Sequence, residues 1–579
     1  MKKLMNQAEN LVMEMYNGLV LAHPELQLNE KYKVIFRRQL KKSKVSLISG
    51  GGSGHEPAHA GFVGAGMLDA AVCGDVFASP SQIQVYQAIK QVATEQGVLM
   101  IIKNYSGDIM NFKNGAALAA EDGIVVDYVK VDDDIAVEDS LYTVGRRGVA
   151  GTVFVHKIAG AAAELGFDLA TVKKIAEKAA GHVRSIGFAF TSCTVPTKGT
   201  PMFSLGEDEM EYGVGIHGEP GIRREKMMDA NALAERMVKD LLNDLGNVSE
   251  VAVLINGFGA TPLQELYVFN NSVIRTLTKQ GVNVHRTFVG NFMTSIDMAG
   301  ASLSILKLDD ELKQYFNAPA STPAFKVDGE VEPIQMLEPI QQANNIAEHS
   351  FKVETNKQFA KIINEQFSLG NMHYYIDKMS EVIIENEVPF CELDSYAGDG
   401  DFGMSVAKGF KQLKREWTEL TSEPSMSAFL NHCSMIIMEH CGGASGPIWG
   451  SAFRAAGKAV EGKEFLAVSD FAAMLQAAVK GIQTTGERSF GRGAVVGDKT
   501  LIDAFVPCAN VWSEAANETT FADIFKRGAL AAVEGAEATK HIVARMGRAG
   551  TVGDRSLGYP DAGAYGLGVI FTALAEDVQ

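Results

Sequence analysis

Runs of β-branched residues recur through the first 313 residues of the chain and nearly vanish after residue 355. That switch divides the chain more sharply than any single motif. At 579 residues the chain is too long for one core. Before the switch, short runs read as strands: Val45–Ile48, Val98–Ile102, Ile124–Val129, Thr152–Val155, Arg184–Phe190, Val251–Ile255 and Val282–Thr287. Helical patterns lie between them, at Ser81–Thr94 and Ala159–Lys178, after an opening amphipathic helix through Val12, Met15, Tyr16, Leu19 and Val20. Strand–helix alternation of this kind predicts an α/β domain with a largely buried sheet, in two lobes, over residues 1–315. Pro319, Pro323, Pro333 and Pro339 punctuate a stretch of weak periodicity, which reads as a linker over 316–354. Residues 355–579 carry Ala-rich helical patterns, including Phe359–Asn386, Met426–Cys441, Gly450–Val460, Ser469–Thr484 and Phe521–Met546, and predict an all-α domain.

A formal charge of −17 argues against a nucleic-acid or anionic-membrane partner, because both require a basic face. An anionic substrate would then need a metal or a few placed Lys/Arg. Lys2 and Lys3 are followed at once by Asn6, Gln7 and Glu9, with no apolar segment of signal or membrane-spanning length. The six cysteines are scattered without a CxxC, as in a reduced, cytoplasmic protein.

Within the all-α part, Leu393 to Gly403 reads Leu-Asp-Ser-Tyr-Ala-Gly-Asp-Gly-Asp-Phe-Gly. Asp394, Asp399 and Asp401 fall close together, interleaved with glycines that permit a tight backbone path. Converging carboxylates repel one another unless a cation lies between them, and Mg²⁺ suits such a site while leaving positions for phosphate oxygens. The same composition also serves a solvated turn.

Four stretches of the first domain carry further chemistry. Ser49-Gly-Gly-Gly-Ser-Gly-His-Glu-Pro57 follows a predicted strand and lets the backbone approach a ligand. It fits neither the dinucleotide fingerprint nor a Walker A loop. His55-Glu56-Pro57-Ala58-His59 satisfies H-E-x-x-H literally, but Pro57 belongs in the first helical turn and leaves His55 outside the helix face a zinc protease needs. Lys103-Asn-Tyr-Ser-Gly-Asp108 follows another strand, and its Asp serves either as a general base or as a helix N-cap. Arg146 and Arg147, in the run Gly145–Thr152, read as an exposed pair more readily than as an anion site. His217 lies between glycines in Gly213–Gly221, either solvated or placed as a neutral nucleophile.

Together these residues resemble the single-chain, ATP-dependent dihydroxyacetone (glycerone) kinases along nearly the whole chain. The first domain resembles the substrate half through Ser49–Gly61, Asn104–Asn111, Gly151–Glu164 and Val214–Gly221. The second resembles the nucleotide half through Leu393–Gly403, Gly442–Gly450, Arg492–Ala504 and Gly547–Ala564. The resemblance implies an eight-helix barrel for the second domain. It implies that His217 bonds covalently to a ketose carbonyl as a hemiaminal. It places His55 and Asp108 as the acid/base pair, with Gly52, Ser53, Gly54 and Lys103 lining the same pocket. Asp394, Asp399 and Asp401 are implied ligands of two Mg²⁺ ions that bridge the ATP phosphates. Phe402, Gly403, Met404, Ser405, Ala444, Ser445, Gly493, Leu501, Arg548, Asp561, Ala562 and Gly563 are implied nucleotide contacts. Phe402, Tyr559 and Ala562 depart from the His, His and Pro common at these places in related nucleotide domains. A homodimer is implied, and free ATP rather than phosphoenolpyruvate as donor, since both halves share one chain. Erythrulose kinases follow the same covalent logic, some relatives are transcriptional coregulators, and some cyclise FAD. The full set of His217, Asp108 and three metal aspartates favours a kinase over a regulator.

Overall fold

The structure, a computed structural model, describes residues 2–137, 145–336, 355–515, 519–546, 550 and 553–578. The chain divides into two compact units, Met1–Glu338 and Pro339–Gln579.

The first unit contains two six-stranded sheets. One is built from β1 (Leu26–Asn29), β2 (Val34–Arg37), β3 (Ser46–Ser53), β4 (Ala70–Val76), β5 (Val98–Lys103) and β6 (Val126–Val131), in the order β1-β2-β4-β3-β5-β6. Its centre is parallel from β4 to β6, and β1 and β2 add an antiparallel edge. Every residue of β3 and β5 is buried, as expected of strands covered on both faces. The second sheet has the order β11-β10-β12-β7-β8-β9. Its strands are β7 (Val183–Ala189), β8 (Glu209–Tyr212), β9 (Arg223–Lys226), β10 (Glu250–Gly257), β11 (Asn283–Gly290) and β12 (Gly300–Lys307). Helices α1 (Leu11–Ala22), α2 (Gln82–Val92), α3 (Ser106–Glu121), α4 (Thr152–Glu164), α5 (Leu169–His182), α6 (Ala230–Leu245), α7 (Leu263–Lys279) and α8 (Asp310–Asn317) complete this unit.

Three sequence expectations fail here for physical reasons. Thr152–Val155 is the first turn of α4, not a strand. Twelve consecutive residues of this helix, Thr152 to Ala163, are buried, so its apolar run carries no helical period. The single helix expected over Ala159–Lys178 is two helices, because Gly166 turns with φ +83° and Asp168 caps α5 by accepting from the Thr171 N–H at 2.8 Å. A linker does not start at Phe316, whose ring is fully buried 5.4 Å from that of Phe154. Beyond it, β13 (Ala320–Ser321) pairs with β14 (Lys326–Val327), and the side chains of Phe325 and Val327 are buried. Prolines punctuate an ordered turn and a linker alike. Residues 337–354 of the expected linker lie outside the described residues.

The described residues of the second unit form ten α-helices, a few short 3-10 turns and no β-strand. Eight are long: α9 (Leu369–Glu385), α11 (Phe402–Arg415), α13 (Met426–His440), α14 (Ser445–Ala459), α15 (Val468–Phe490), α16 (Ile502–Ala515), α17 (Phe521–Ala538) and α18 (Ala562–Asp577). Short α10 (Glu387–Asp394) and α12 (Trp417–Leu420) flank α11. Each long helix packs on the next in the cycle α9, α11, α13, α14, α15, α16, α17, α18, and α18 packs back on α9. The ring closes into the eight-helix barrel that the resemblance implied. Its interior is apolar, with a cavity of about 130 Å³ among Phe367, Tyr375, Trp449, Phe471, Trp512 and Phe571.

Candidate active-site residues in the two units

In the first sheet, β3 is followed in the chain by β4 on one side and later flanked by β5 on the other. Open parallel sheets bind ligands beyond the carboxyl ends of the strands at such a switch point. Here β3 ends in the glycine run and His55, β5 ends in Lys103, and Asp108 sits in the first turn of α3. Lys103 is fully buried, and its Nζ lies 3.5 Å from Asp108 Oδ2. A Cβ at Gly51 would lie 2.7 Å from that Nζ, so only glycine leaves the ammonium its place.

The loop between β8 and β9 brings in His217. Its Nε2 is 3.3 Å from Nε2 of His55. His55 Nδ1 lies 2.9 Å from the Thr294 carbonyl, which can only accept, so His55 carries its hydrogen on Nδ1 and turns a lone pair toward His217. Phe77 and Tyr105 stand edge-on to the His217 ring at 5.3 and 4.7 Å. Burial, then the nearby Lys103 and Arg147 charges, pull the His217 pKa down to about 3. Burial chiefly, with His217 and Lys103, holds His55 well below the ordinary range. Both shifts favour the neutral ring at pH 7.

What holds the His217 loop is a buried network that the sequence reading took for exposed arginines. Arg147 is buried. It donates to Asp134 at 2.8 Å, to Glu219 at 3.0 Å and to the Gly213 carbonyl at 3.0 Å. Glu219 in turn accepts from the His217 N–H at 2.8 Å. A Cβ at Gly215 would lie 1.8 Å from Glu219 Oε1, so that glycine makes room for the carboxylate rather than for a substrate. Arg146 is a separate case, paired with Asp244.

Not every expected pocket residue offers its side chain. The Ser53 hydroxyl is within hydrogen-bond distance of the Gly74 carbonyl and Tyr16. A Cβ at Gly54 would strike the Phe77 ring and one at Gly52 the Phe77–Ala78 backbone, so Gly54 seats that ring and Gly52 lets the chain pass beside it. The H-E-x-x-H segment is a turn, not a helix. Its second histidine, His59, instead meets His156 at 3.1 Å between ring nitrogens.

Burial holds the pKa of His55, His59 and His156 below the usual value, that of His156 at about 3. An unfolded chain binds protons on these rings below about pH 6.5 while the folded chain does not. Their contribution to stability is full above that pH and is lost as pH falls toward the folded values. We expect up to about 1.4 kcal/mol lost per imidazole per pH unit. Denaturation at pH 7.5 and 5.5, in wild type and His156→Asn, checks this: the variant's loss on acidification should be smaller. An equal loss would mean that His156 is not held neutral.

In the second unit, Asp394, Asp399 and Asp401 each bring one carboxylate oxygen within 4.8 Å of the others. Among the described residues no other group of three potential ligands does so. Asp394 Oδ2 accepts from the N–H groups of Gly400, Asp401 and Phe402 at 2.9, 3.1 and 3.3 Å, which folds the loop around it. Gly400 takes φ +77°. Gly398 serves close approach instead: a Cβ there would lie 2.2 Å from Asp394 Oδ1. Three oxygen donors with half-buried or exposed flanks fit a hard divalent ion that keeps sites open for phosphate.

The aspartates line a cavity of about 200 Å³ that also collects Ser405, Ala444, Ser445, Leu501, Asp561, Ala562 and Gly563. Residues at the starts of α11, α14, α16 and α18 all line it. Four helices turn their positive dipole ends toward the cavity, which suits a polyphosphate. Asp561 caps α18 by accepting from the Ala564 N–H, and burial pushes its carboxyl up to about 7. Phe402 lines the cavity and packs on Phe390, while Tyr559 stacks on Tyr396 with ring centres 4.1 Å apart. Three implied nucleotide contacts fall elsewhere. A Cβ at Gly403 would meet the Glu387 carbonyl at 2.0 Å, so it serves the packing of α10 on α11. Met404 is exposed and Gly493 packs on Gln483; neither lines the cavity. Arg548 lies outside the described residues. The sequence reading missed Gly442, Ile448, Trp449, Lys499, Thr500, Met546 and Pro560. All of these but Met546 lay within a recognised stretch, Lys499 and Thr500 beside the chosen Leu501.

Known proteins accord with this division. Residues 17–324 match the Dak1 domain and residues 396–576 the DAK2 domain. The dihydroxyacetone-binding subunit DhaK of a PTS-dependent dihydroxyacetone kinase of Listeria innocua is 53% identical over 314 residues, covering 54% of this chain and 95% of its own. A D-erythrulose kinase of Mycolicibacterium smegmatis is 34% identical over 100% of this chain and 99% of its own. The dihydroxyacetone kinase of C. freundii, solved with AMP-PNP and Mg²⁺, superposes with a TM-score of 0.61 at 30% identity over 99% of each chain. With both domains in the same order on one chain, this protein belongs to the single-chain, ATP-dependent dihydroxyacetone kinase family.

Proposed function

We propose that this ATP-dependent phosphotransferase acts on the terminal hydroxyl of a short-chain ketose, dihydroxyacetone first, and holds it covalently on His217. The observation that carries this reading is the pair of neutral imidazoles, with Nε2 atoms 3.3 Å apart, close to Tyr105 and Phe77. A neutral, half-buried histidine set against a lone pair is suited to adding to a carbonyl. In the adduct a bond forms between His217 Nε2 and the carbonyl carbon. The C=O π pair moves to oxygen, and the proton leaving Nε2 ends on that oxygen, relayed by His55 Nε2. The product is a neutral hemiaminal. Glycerol has no carbonyl to add, so selection against it is chemical rather than steric.

Asp108, held near Lys103, is the base for the terminal hydroxyl. Its carboxylate takes the proton as the hydroxyl oxygen bonds to the γ-phosphorus and ADP leaves. Asp394, Asp399 and Asp401 would hold Mg²⁺, which neutralises charge on the triphosphate. The positive dipole ends of α11, α14, α16 and α18 would favour its charge. Gly54 seats the Phe77 ring, Gly52 passes the backbone behind it, and Phe77 and Tyr105 bound the substrate end. A homodimer is part of this reading, and sedimentation of the purified chain tests it.

The names of the relatives support both three- and four-carbon ketoses. A panel of dihydroxyacetone, both erythrulose enantiomers, glyceraldehyde and glycerol with MgATP, followed by ADP release, decides between them. We expect the highest kcat/KM for dihydroxyacetone and the lowest for glycerol. An erythrulose preference would move the assignment to the four-carbon substrate. Equal use of glycerol would overturn the covalent reading.

A further inference from the structure

Lys499, in the loop between α15 and α16, has φ +62°, a left-handed backbone rarely taken by a long side chain. The residue is buried. Its Nζ donates to the carbonyl oxygens of Thr539 and Tyr559, both at 2.8 Å, of Ile542 at 3.3 Å, and of Ser556. An ammonium has three N–H groups, so four acceptors make it a coordinated ion rather than an ordinary donor. Among the described residues no carboxylate is paired with it; Asp561 and Asp503 act on it only at longer range. A buried cation ringed by neutral carbonyl oxygens is the environment that replaces the hydration shell of K⁺.

The cage joins the two ends of one excursion of the chain. Thr539 and Ile542 follow α17, whereas Ser556 and Tyr559 precede α18. The ends are also tied by Gly558 N–H to the Lys540 carbonyl at 2.9 Å and by Asp561 N–H to Thr539 Oγ1 at 2.8 Å. Met546, Pro560 and Asp561 within this region line the cavity that also holds the three metal-site aspartates.

We propose that Lys499 is a tethered monovalent cation: its ammonium fills a carbonyl cage that, once the side chain is removed, takes K⁺ or NH₄⁺, and the filled cage positions Met546, Pro560 and Asp561 for the nucleotide. The positioning clause rests on the nucleotide reading of the cavity; the cage itself does not.

The test compares full-length wild type and Lys499→Ala in choline, lithium, potassium and ammonium chlorides at equal ionic strength. Melting temperature reports the cage, and AMP-PNP affinity with Mg²⁺ reports the positioning. In choline the variant should melt lower and bind about 10-fold or more weakly. Potassium or ammonium should restore both, saturably, while lithium and choline do not, and wild type should respond to none of them. A folded variant whose melting temperature ignores all four ions would overturn the cage. Restored melting without any change in AMP-PNP affinity would overturn the positioning role alone. If Lys499→Ala does not fold in any of these salts, ¹⁵N-lysine NMR of the wild type decides. One Nζ signal at pH 7, slow to exchange with water and missing in Lys499→Arg, supports the cage; its absence overturns it.

Discussion

Asp399→Asn and Asp401→Ala are expected to lower Mg²⁺-dependent ATP turnover by on the order of 10³-fold, the scale of losing a preorganised charge at the transferring group. The three carboxylates bring oxygens within 4.8 Å of one another, and a cation among them would relieve their mutual repulsion. Each variant removes one donor or one charge from that set. The ketose adduct should survive, because His217, His55 and Asp108 all belong to the first unit. Turnover and a ¹³C-carbonyl NMR measurement of the adduct, made on the same preparation, separate the two effects. Gly398→Ala sharpens the test without touching any charge. Its Cβ would sit 2.2 Å from Asp394 Oδ1, so Asp394 must leave its three N–H donors and the Mg²⁺ requirement should rise. Near wild-type turnover in either aspartate variant would remove the metal assignment.

The features legible in the sequence were those set by local chemistry. The switch from strand–helix alternation to helices alone read correctly because β-branched composition is a property of each segment. The aspartate loop was legible because its residues are neighbours in the chain. What the sequence hid depends on burial or on distant partners. Thr152–Val155 looked like a strand because a helix buried on all sides has no polar face to mark its period. Arg147 looked exposed because its partners, Asp134 and Glu219, lie 13 and 72 residues away. Phe316 looked like the start of a linker because nothing near it in the chain announces the ring of Phe154. Ser53 sat in a glycine run suited to a ligand, yet its hydroxyl serves the sheet. Lys499 and Trp449 entered the cavity lining only when the barrel closed. In each case the determining neighbour was a tertiary one.

His217→Ala is expected to lose most ketose phosphorylation while keeping ATP binding. If the histidine anchors the carbonyl, its removal sacrifices orientation of the terminal hydroxyl rather than the transfer chemistry, roughly 4 kcal/mol or about 10³-fold in kcat/KM. The change also discriminates between substrates. Glycerol forms no adduct with the wild type, so it should lose much less than dihydroxyacetone, and the ratio of the two kcat/KM values should collapse. His217→Lys should not restore activity, since a longer, flexible amine would place the hydroxyl differently. The low pKa of His217, about 3, adds a second readout. With the folded value so far below the ordinary 6.5, the ring remains neutral as pH falls from 8 to 5, and adduct occupancy should stay flat across that range. A solvated histidine would instead lose half its neutral form near pH 6.5. The measurements are kcat/KM for both substrates at saturating MgATP, and ¹³C-carbonyl NMR of the adduct against pH. An unchanged dihydroxyacetone-to-glycerol ratio in His217→Ala would reduce His217 to a loop residue, and the aromatic ring contacts around it to ordinary packing.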